Sequence, residues 1–118
     1  MKKPKIQLSI LSSDELLISL YRDYFAPQIQ TKKLGSVIDF KADFILVDLN
    51  SNHYQAMDLI WQFRRFKNPH SKIILLDYLS AMSDTTINML ITHYGLNNYF
   101  FKNHTTVSTI KQYMVDNL

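Results

Sequence analysis

Apolar and polar residues alternate over Ile6–Leu11 and end on the apolar pair Ile10-Leu11, the period-two pattern of a strand. Ser12-Ser13-Asp14-Glu15 follows as a helix start. Ser12 and Glu15 have the spacing of a capping box, and Asp14 favours the positive helix terminus. Leu16, Leu17, Leu20, Tyr21, Tyr24 and Phe25 then recur at helical intervals, and Pro27 forbids helix at the residue before it. Thr31–Leu34 has the character of a weak second strand. Phe44–Val47 and Ile73–Leu76 are short, wholly apolar and partly β-branched, as strands covered on both faces of a parallel sheet are. Between them, Ala56, Leu59, Ile60 and Phe63 mark one side of a helix stopped by Asn68-Pro69. Ser83 caps a further helix bearing Ile87, Leu90, Ile91 and Tyr94 and ended by Gly95. Tyr99-Phe100-Phe101 predicts a fifth strand. A last helix from about Thr105 turns Val107, Ile110 and Met114 inward.

Strand and helix alternate throughout, which predicts an α/β fold with a parallel sheet and right-handed crossovers. No linker, repeat or low-complexity segment interrupts the 118 residues, so residues 1–118 read as a single domain. Gly35 to Ala42 leaves eight residues between the second and third strands. A parallel crossover takes a dozen or more, so either the second helix is shortened to about a turn or the second strand begins early and leans away.

Composition narrows the chemistry. With only two glycines, Gly35 and Gly95, neither a Walker loop nor a GxGxxG fingerprint can be written. The absence of cysteine removes disulfides, thiolate metal sites and thiol nucleophiles. Glu15 is the only glutamate, so HExxH zinc sites are excluded as well. The net charge of +3 is spread over three clusters, Lys2/Lys3/Lys5, Lys32/Lys33 and Arg64/Arg65/Lys67. Such scatter serves solubility better than a nucleic-acid footprint. His53, His70, His93 and His104 have no ligand spacing. No apolar run exceeds four residues and no secretory leader is seen, so no membrane partner and a cytoplasmic location are expected.

In an open parallel sheet, ligands meet the carboxyl ends of the strands. The residues just past the predicted strands are Ser12, Ser13 and Asp14 after the first, Asp48 and Asn50 after the third, Asp77 after the fourth and Lys102 after the fifth. Two aspartates and a lysine thus converge from three strands. An ordinary ion pair at a strand end is the alternative, because aspartates start turns.

Three stretches carrying these residues resemble the receiver domain of two-component response regulators. Ala42-Asp43-Phe44-Ile45-Leu46-Val47-Asp48-Leu49-Asn50 is similar to the strand that delivers the phospho-accepting aspartate. Met57-Asp58-Leu59-Ile60-Trp61-Gln62-Phe63-Arg64 resembles the helix after it. Gly95-Leu96-Asn97-Asn98-Tyr99-Phe100-Phe101-Lys102-Asn103 resembles the last strand with its active-site lysine. The resemblance implies a flavodoxin-like, three-layer α/β/α domain with a five-stranded parallel sheet in the order 2-1-3-4-5. It also implies a non-enzymatic signalling role in a phosphorelay, with Asp48 as phosphoacceptor, Lys102 on the phosphoryl oxygens, Tyr99 as switch aromatic and the Asn50 carbonyl on magnesium.

The departures from that family are chemically pointed. Ser12 and Ser13 stand where the family has an acidic pair, and Asp77 where it has a threonine or serine. Asn52 stands at the usual proline and Ala56 at the usual glycine. Magnesium wants hard anionic oxygens in octahedral geometry, which two serines do not supply. A carboxylate at Asp77 repels an incoming phosphoryl group by ~4 kcal/mol at about 4 Å, equivalent to about three decades in rate. The expectation is an atypical pseudo-receiver, working by protein contact without efficient phosphorylation and without a tightly held cofactor. Asp77 would pair with Lys102 and so imitate the phosphorylated state. A slowly phosphorylatable receiver with weak magnesium dependence at Asp48, and a displaced divalent site on Asp48 and Asp77, are the alternatives. The resemblance further implies an output and self-association face on the fourth helix, fifth strand and last helix, carrying Asn88, Thr92, Tyr94, Phe100, Lys111 and Tyr113. A DNA-binding effector beyond residue 118 would make the output transcriptional.

Overall fold

The computed structural model describes residues 5–34, 41–49, 58, 62, 70–77, 83, 85, 88, 89, 92, 98–100 and 105–118, of which 98 and 99 are described in backbone only. Strands β1 (Ile6–Leu11), β2 (Ile29–Lys33), β3 (Phe44–Asp48) and β4 (Lys72–Leu76) form a parallel sheet in the order β2-β1-β3-β4. A three-residue strand, β5 (Asn98–Phe100), runs parallel beside β4. Helix α1 (Glu15–Phe25) and helix α2 (Val107–Asp116) are described along their whole length. Asp58 and Gln62 are also helical and hydrogen-bonded across one turn at 3.1 Å, and Thr85, Asn88, Met89 and Thr92 are helical. Among the described residues no helix is long and apolar enough to cross a membrane.

The sheet divides the core by alternation. Ile6, Leu8 and Ile10 of β1, Ile29 of β2, Phe44 and Leu46 of β3 and Ile74 and Leu76 of β4 share one cluster. From the helices, Leu17, Ile18, Tyr21 and Phe25 of α1 and Ile110 and Met114 of α2 close over it. The intervening residues Ile45, Val47, Ile73 and Leu75 are fully buried too, so both faces of the central strands are covered. That double burial is what the uninterrupted apolar runs predict. Each such side chain stabilises the fold by roughly 1.5–3 kcal/mol relative to exposure.

The boundaries differ in instructive places. The second strand begins at Ile29, two residues before the expected Thr31, because Ile6 pairs with Ile29 and the register carries Leu8 onto Thr31. Helix α1 is capped by Asp14, whose Oδ1 accepts the Leu17 amide at 3.1 Å, and not by Ser12. A carboxylate two residues closer to the first turn outcompetes the hydroxyl as cap. Of the apolar residues that recur along α1, Leu17, Tyr21 and Phe25 are buried together with Ile18, whereas Leu16, Leu20 and Tyr24 are exposed. The last helix starts at Val107 with Thr106 as cap. The shortened second helix, most of the two middle helices and Gly95 lie outside the described residues.

At the amino-terminal edge of the sheet, Asp43 clamps two elements. Its Oδ2 accepts the Gln7 amide at 2.7 Å and its Oδ1 lies 3.0 Å from His70 Nε2. This edge is distant from the strand ends where chemistry is expected.

Candidate site at the carboxyl ends of the strands

β1 and β3 are in register through Leu11 and Val47, so the next residues, Ser12 and Asp48, emerge side by side. Both continue the alternation that turns Ile10 and Leu46 toward α1. The Ser12 hydroxyl donates to Asp48 Oδ2 at 2.8 Å. Its oxygen in turn accepts the Asp14 amide at 3.0 Å. Ser12 is 5 % and Asp48 1 % exposed. A buried carboxylate without partners is costly, and the hydroxyl offsets part of that cost. One serine thus joins Asp48 at the end of β3 to the first turn of α1.

On the other side, Asp48 is level with Leu76 of β4, which places the Asp77 backbone one residue further along the neighbouring strand. The Leu49 amide donates to the Leu76 carbonyl at 2.9 Å, and the Asp77 amide to the Phe100 carbonyl at 3.1 Å, fixing both turns. Asp77 is fully buried. Asp48 and Asp77 are therefore brought to adjacent strand ends, with Ser12 on the first. Ser13 and Asp14 sit exposed at the rim, Asp14 engaged as the helix cap. Asn50, Lys102 and Tyr94, and the side chain of Tyr99, lie outside the described residues.

The site includes one residue that sequence reasoning treated only as core. Tyr21 of α1 has its phenol pushed up to about 12, first by burial and then by the negative charge of Asp48. Its only sequence signal was helical spacing, which marks an inward face without saying what lies opposite. The unfolded chain releases this proton near pH 10 and the folded chain near pH 12, so stability falls as pH rises between them. A change on the order of 2–3 kcal/mol is expected across that window. Urea midpoints of the protein and of Tyr21→Phe, followed from pH 8 to pH 12, are expected to diverge above pH 10, with Tyr21→Phe holding its stability better. Parallel curves would remove Tyr21 from the site.

The oxygens described at these strand ends are the Asp48 and Asp77 carboxylates and the Ser12 and Ser13 hydroxyls. Ser12 offers a neutral oxygen already shared between the Asp48 carboxylate and the Asp14 amide. Among the described residues no group of three histidines, cysteines or acids could hold a metal ion. On the flank formed by β5 and α2, Phe100, Ser108, Thr109, Gln112, Tyr113 and Asp116 line an open cleft of about 580 Å³. Phe100 is buried at the base of this cleft and Tyr113 is half-buried, its ring 5.5 Å from that of Phe100. Asn88 and Thr92 are exposed, and Lys111 is half-buried with its ammonium over the Tyr24 ring of α1.

No family model and no curated protein matches the chain by sequence. Solved structures do match by shape. A response regulator from Colwellia psychrerythraea superposes with a TM-score of 0.71 at 19% identity, over 96% of this chain and 96% of its own. One from Thermotoga maritima gives 0.69 at 14% identity, over 96% and 97% of the two chains. The response regulator DrrB of Thermotoga maritima, an OmpR/PhoB homologue, gives 0.68 at 12% identity, over 92% of this chain and 50% of its own. The fold is thus that of response regulator receiver domains.

Proposed function

We propose that this chain is a non-enzymatic, receiver-type signalling domain that acts by protein contact and does not depend on efficient aspartyl phosphorylation. The reading includes the full five-stranded, three-layer receiver architecture and membership of the receiver family in an atypical form. The observation that carries it is the buried Ser12–Asp48 hydrogen bond at 2.8 Å. Phosphoryl transfer to an aspartate relies on positioning and on neutralising charge on the transferred group, chiefly by a metal ion and a lysine. Here the position beside the acceptor is filled by a neutral hydroxyl that stabilises the unmodified carboxylate. A second buried carboxylate, Asp77, stands at the next strand end where it would repel the incoming group. Lys102 is assigned as the counter-charge for both acids.

The output partner is a protein that docks in the cleft between β5 and α2, where the Phe100 and Tyr113 rings supply an apolar floor and Thr109, Gln112 and Asp116 a polar rim. The half-length match to DrrB is consistent with a receiver unit joined to an effector, and a DNA-binding effector would make the output transcriptional.

Incubation with a small-molecule phosphodonor and magnesium, read by intact mass, tests the chemistry. No phosphate-sized mass gain is expected in the natural chain. A gain is expected once Ser12→Asp, Ser13→Asp and Asp77→Thr are combined. A gain in the natural chain that disappears in Asp48→Asn would overturn the reading in favour of a slow, magnesium-weak phosphoacceptor.

A further inference from the structure

The amino-terminal ends of β1, β3 and β4 frame a cavity of about 320 Å³. It lies at the end of the sheet opposite Asp48 and Asp77, about 15 Å away along strands that rise roughly 3.3 Å per residue. Lys5, just before β1, and Lys72, the first residue of β4, bring two ammonium groups to it. Asp43, just before β3, brings a carboxylate. Backbone pairing fixes this frame. The Asp43 amide donates to the Gln7 carbonyl at 2.9 Å and the Lys72 amide to the Asp43 carbonyl at 3.0 Å. The buried Ser71 hydroxyl donates to the Ala42 carbonyl at 2.6 Å, tying the entry of β4 to that of β3.

The charges around this cavity are unevenly matched. Asp43 is satisfied from within the protein: its Oδ2 accepts the Gln7 amide at 2.7 Å and its Oδ1 lies 3.0 Å from His70 Nε2. An ionised carboxylate only accepts, so the ring places its N–H there. The Lys72 ammonium donates to the Asn117 carbonyl, a neutral acceptor at the end of α2. Lys5 is exposed and makes no ion pair or hydrogen bond among the described residues. Two ammonium groups therefore line one cavity, and among the described residues neither has a carboxylate against it. Between the polar groups the walls are apolar: Phe44 closes the base, and the Leu118 side chain and the lysine stems flank it.

We propose that this cavity binds a small organic anion, its charged head at the Lys5 and Lys72 ammoniums and its apolar body along the lysine stems and Leu118. A phosphate monoester suits the pair best. Such a head carries about 1.5 to 2 negative charges at neutral pH, and lysine serves it as a point charge. The volume is at the lower end of small-molecule sites, which limits the body to a small group. Lys5 is exposed, so the attraction is screened by salt and the affinity is modest. The site is separate from the strand ends around Asp48 and does not rest on how that crevice responds to phosphodonors.

Phenyl phosphate is the probe, followed by the amide resonances of the whole chain. At low ionic strength it is expected to saturate with a dissociation constant of about 1 mM or below, moving the amides of Lys5, Asp43, Lys72 and Asn117. Inorganic phosphate and phenol, the head and the body alone, are each expected to bind at least about fivefold more weakly. Benzoate, with a single charge, is expected to bind more weakly at the same amides; tighter binding would overturn the phosphate head in favour of a carboxylate. Lys5→Gln changes an exposed residue and is expected to weaken phenyl phosphate about tenfold with unchanged circular dichroism. Lys32→Gln removes the same charge from the exposed face of edge strand β2 and is expected to leave binding unaltered. Four results would each overturn the proposal: no saturation below about 10 mM, shifts centred on Ser12, Asp48 and Asp77, equal losses in the two lysine variants, or inorganic phosphate binding as tightly as phenyl phosphate, which would mean an adventitious ion only.

Discussion

Ser12→Asp is expected to melt about 10 °C or more below the natural chain at pH 7 in the presence of a chelator, and to recover much of that loss in millimolar magnesium. The hydroxyl now donates to a carboxylate that is 1% exposed. Replacing it with a second carboxylate removes the donor and sets two like charges at hydrogen-bond range. One unit-charge repulsion at about 4 Å and an effective dielectric near 20 is worth ~4 kcal/mol. The lost hydrogen bond adds about 1–3 kcal/mol, because the Asp48 acceptor is left buried. A divalent cation binds the acid pair only in the folded state, and saturation at about a hundredfold its dissociation constant returns ~2.7 kcal/mol. The natural chain is expected to show no such response. Equal melting temperatures for the two proteins in chelator, or a natural chain stabilised as strongly by magnesium, would mean that Ser12 is not the group holding Asp48.

That result turns on a contact only half legible in the sequence. The strand ends were readable because parallel, doubly covered strands are contiguous apolar runs, and Phe44–Val47 and Ile73–Leu76 lie inside β3 and β4. Asp48 and Asp77 could be placed from that alone. The role of Ser12 could not. Its spacing to Glu15 matches a capping box, but Asp14 lies nearer the first turn and takes the cap, leaving the hydroxyl to reach across to β3. The buried and exposed sides of α1 are hard to tell apart in the sequence for a related reason. Leu16, Leu17, Ile18, Leu20, Tyr21, Tyr24 and Phe25 cover so much of the circumference that periodicity alone does not say which arc faces the sheet. The answer depends on how Phe25 and Tyr21 join the core cluster with the strands, which is tertiary information. Tyr21 is close enough to Asp48 to feel its charge for the same reason.

The aromatic link between the core and the cleft gives a second large expected change in stability. Phe44 opens β3 with no exposed surface, and its ring stands edge-on to Tyr113 of α2 at 6.2 Å. Tyr113 in turn stands edge-on to Phe100 of β5 at 5.5 Å. The three rings tie the third strand to the last helix and the floor of the cleft. Phe44→Ala is expected to cost about 3–5 kcal/mol, from lost burial and the cavity left behind. Against a total of about 5–15 kcal/mol for a domain, that leaves a marginally folded protein. Phe44→Leu keeps most of the volume and is expected to cost less than about 1.5 kcal/mol, together with the edge-on contact to Tyr113. Urea denaturation followed by far-ultraviolet circular dichroism separates the two. Tyr113→Leu tests the link itself. In a double-mutant cycle with Phe44→Leu, the two costs are expected to be non-additive by about 0.5–1.5 kcal/mol. Strict additivity would mean that the rings pack independently and that a partner seated in the cleft has no direct path through Tyr113 to the start of β3.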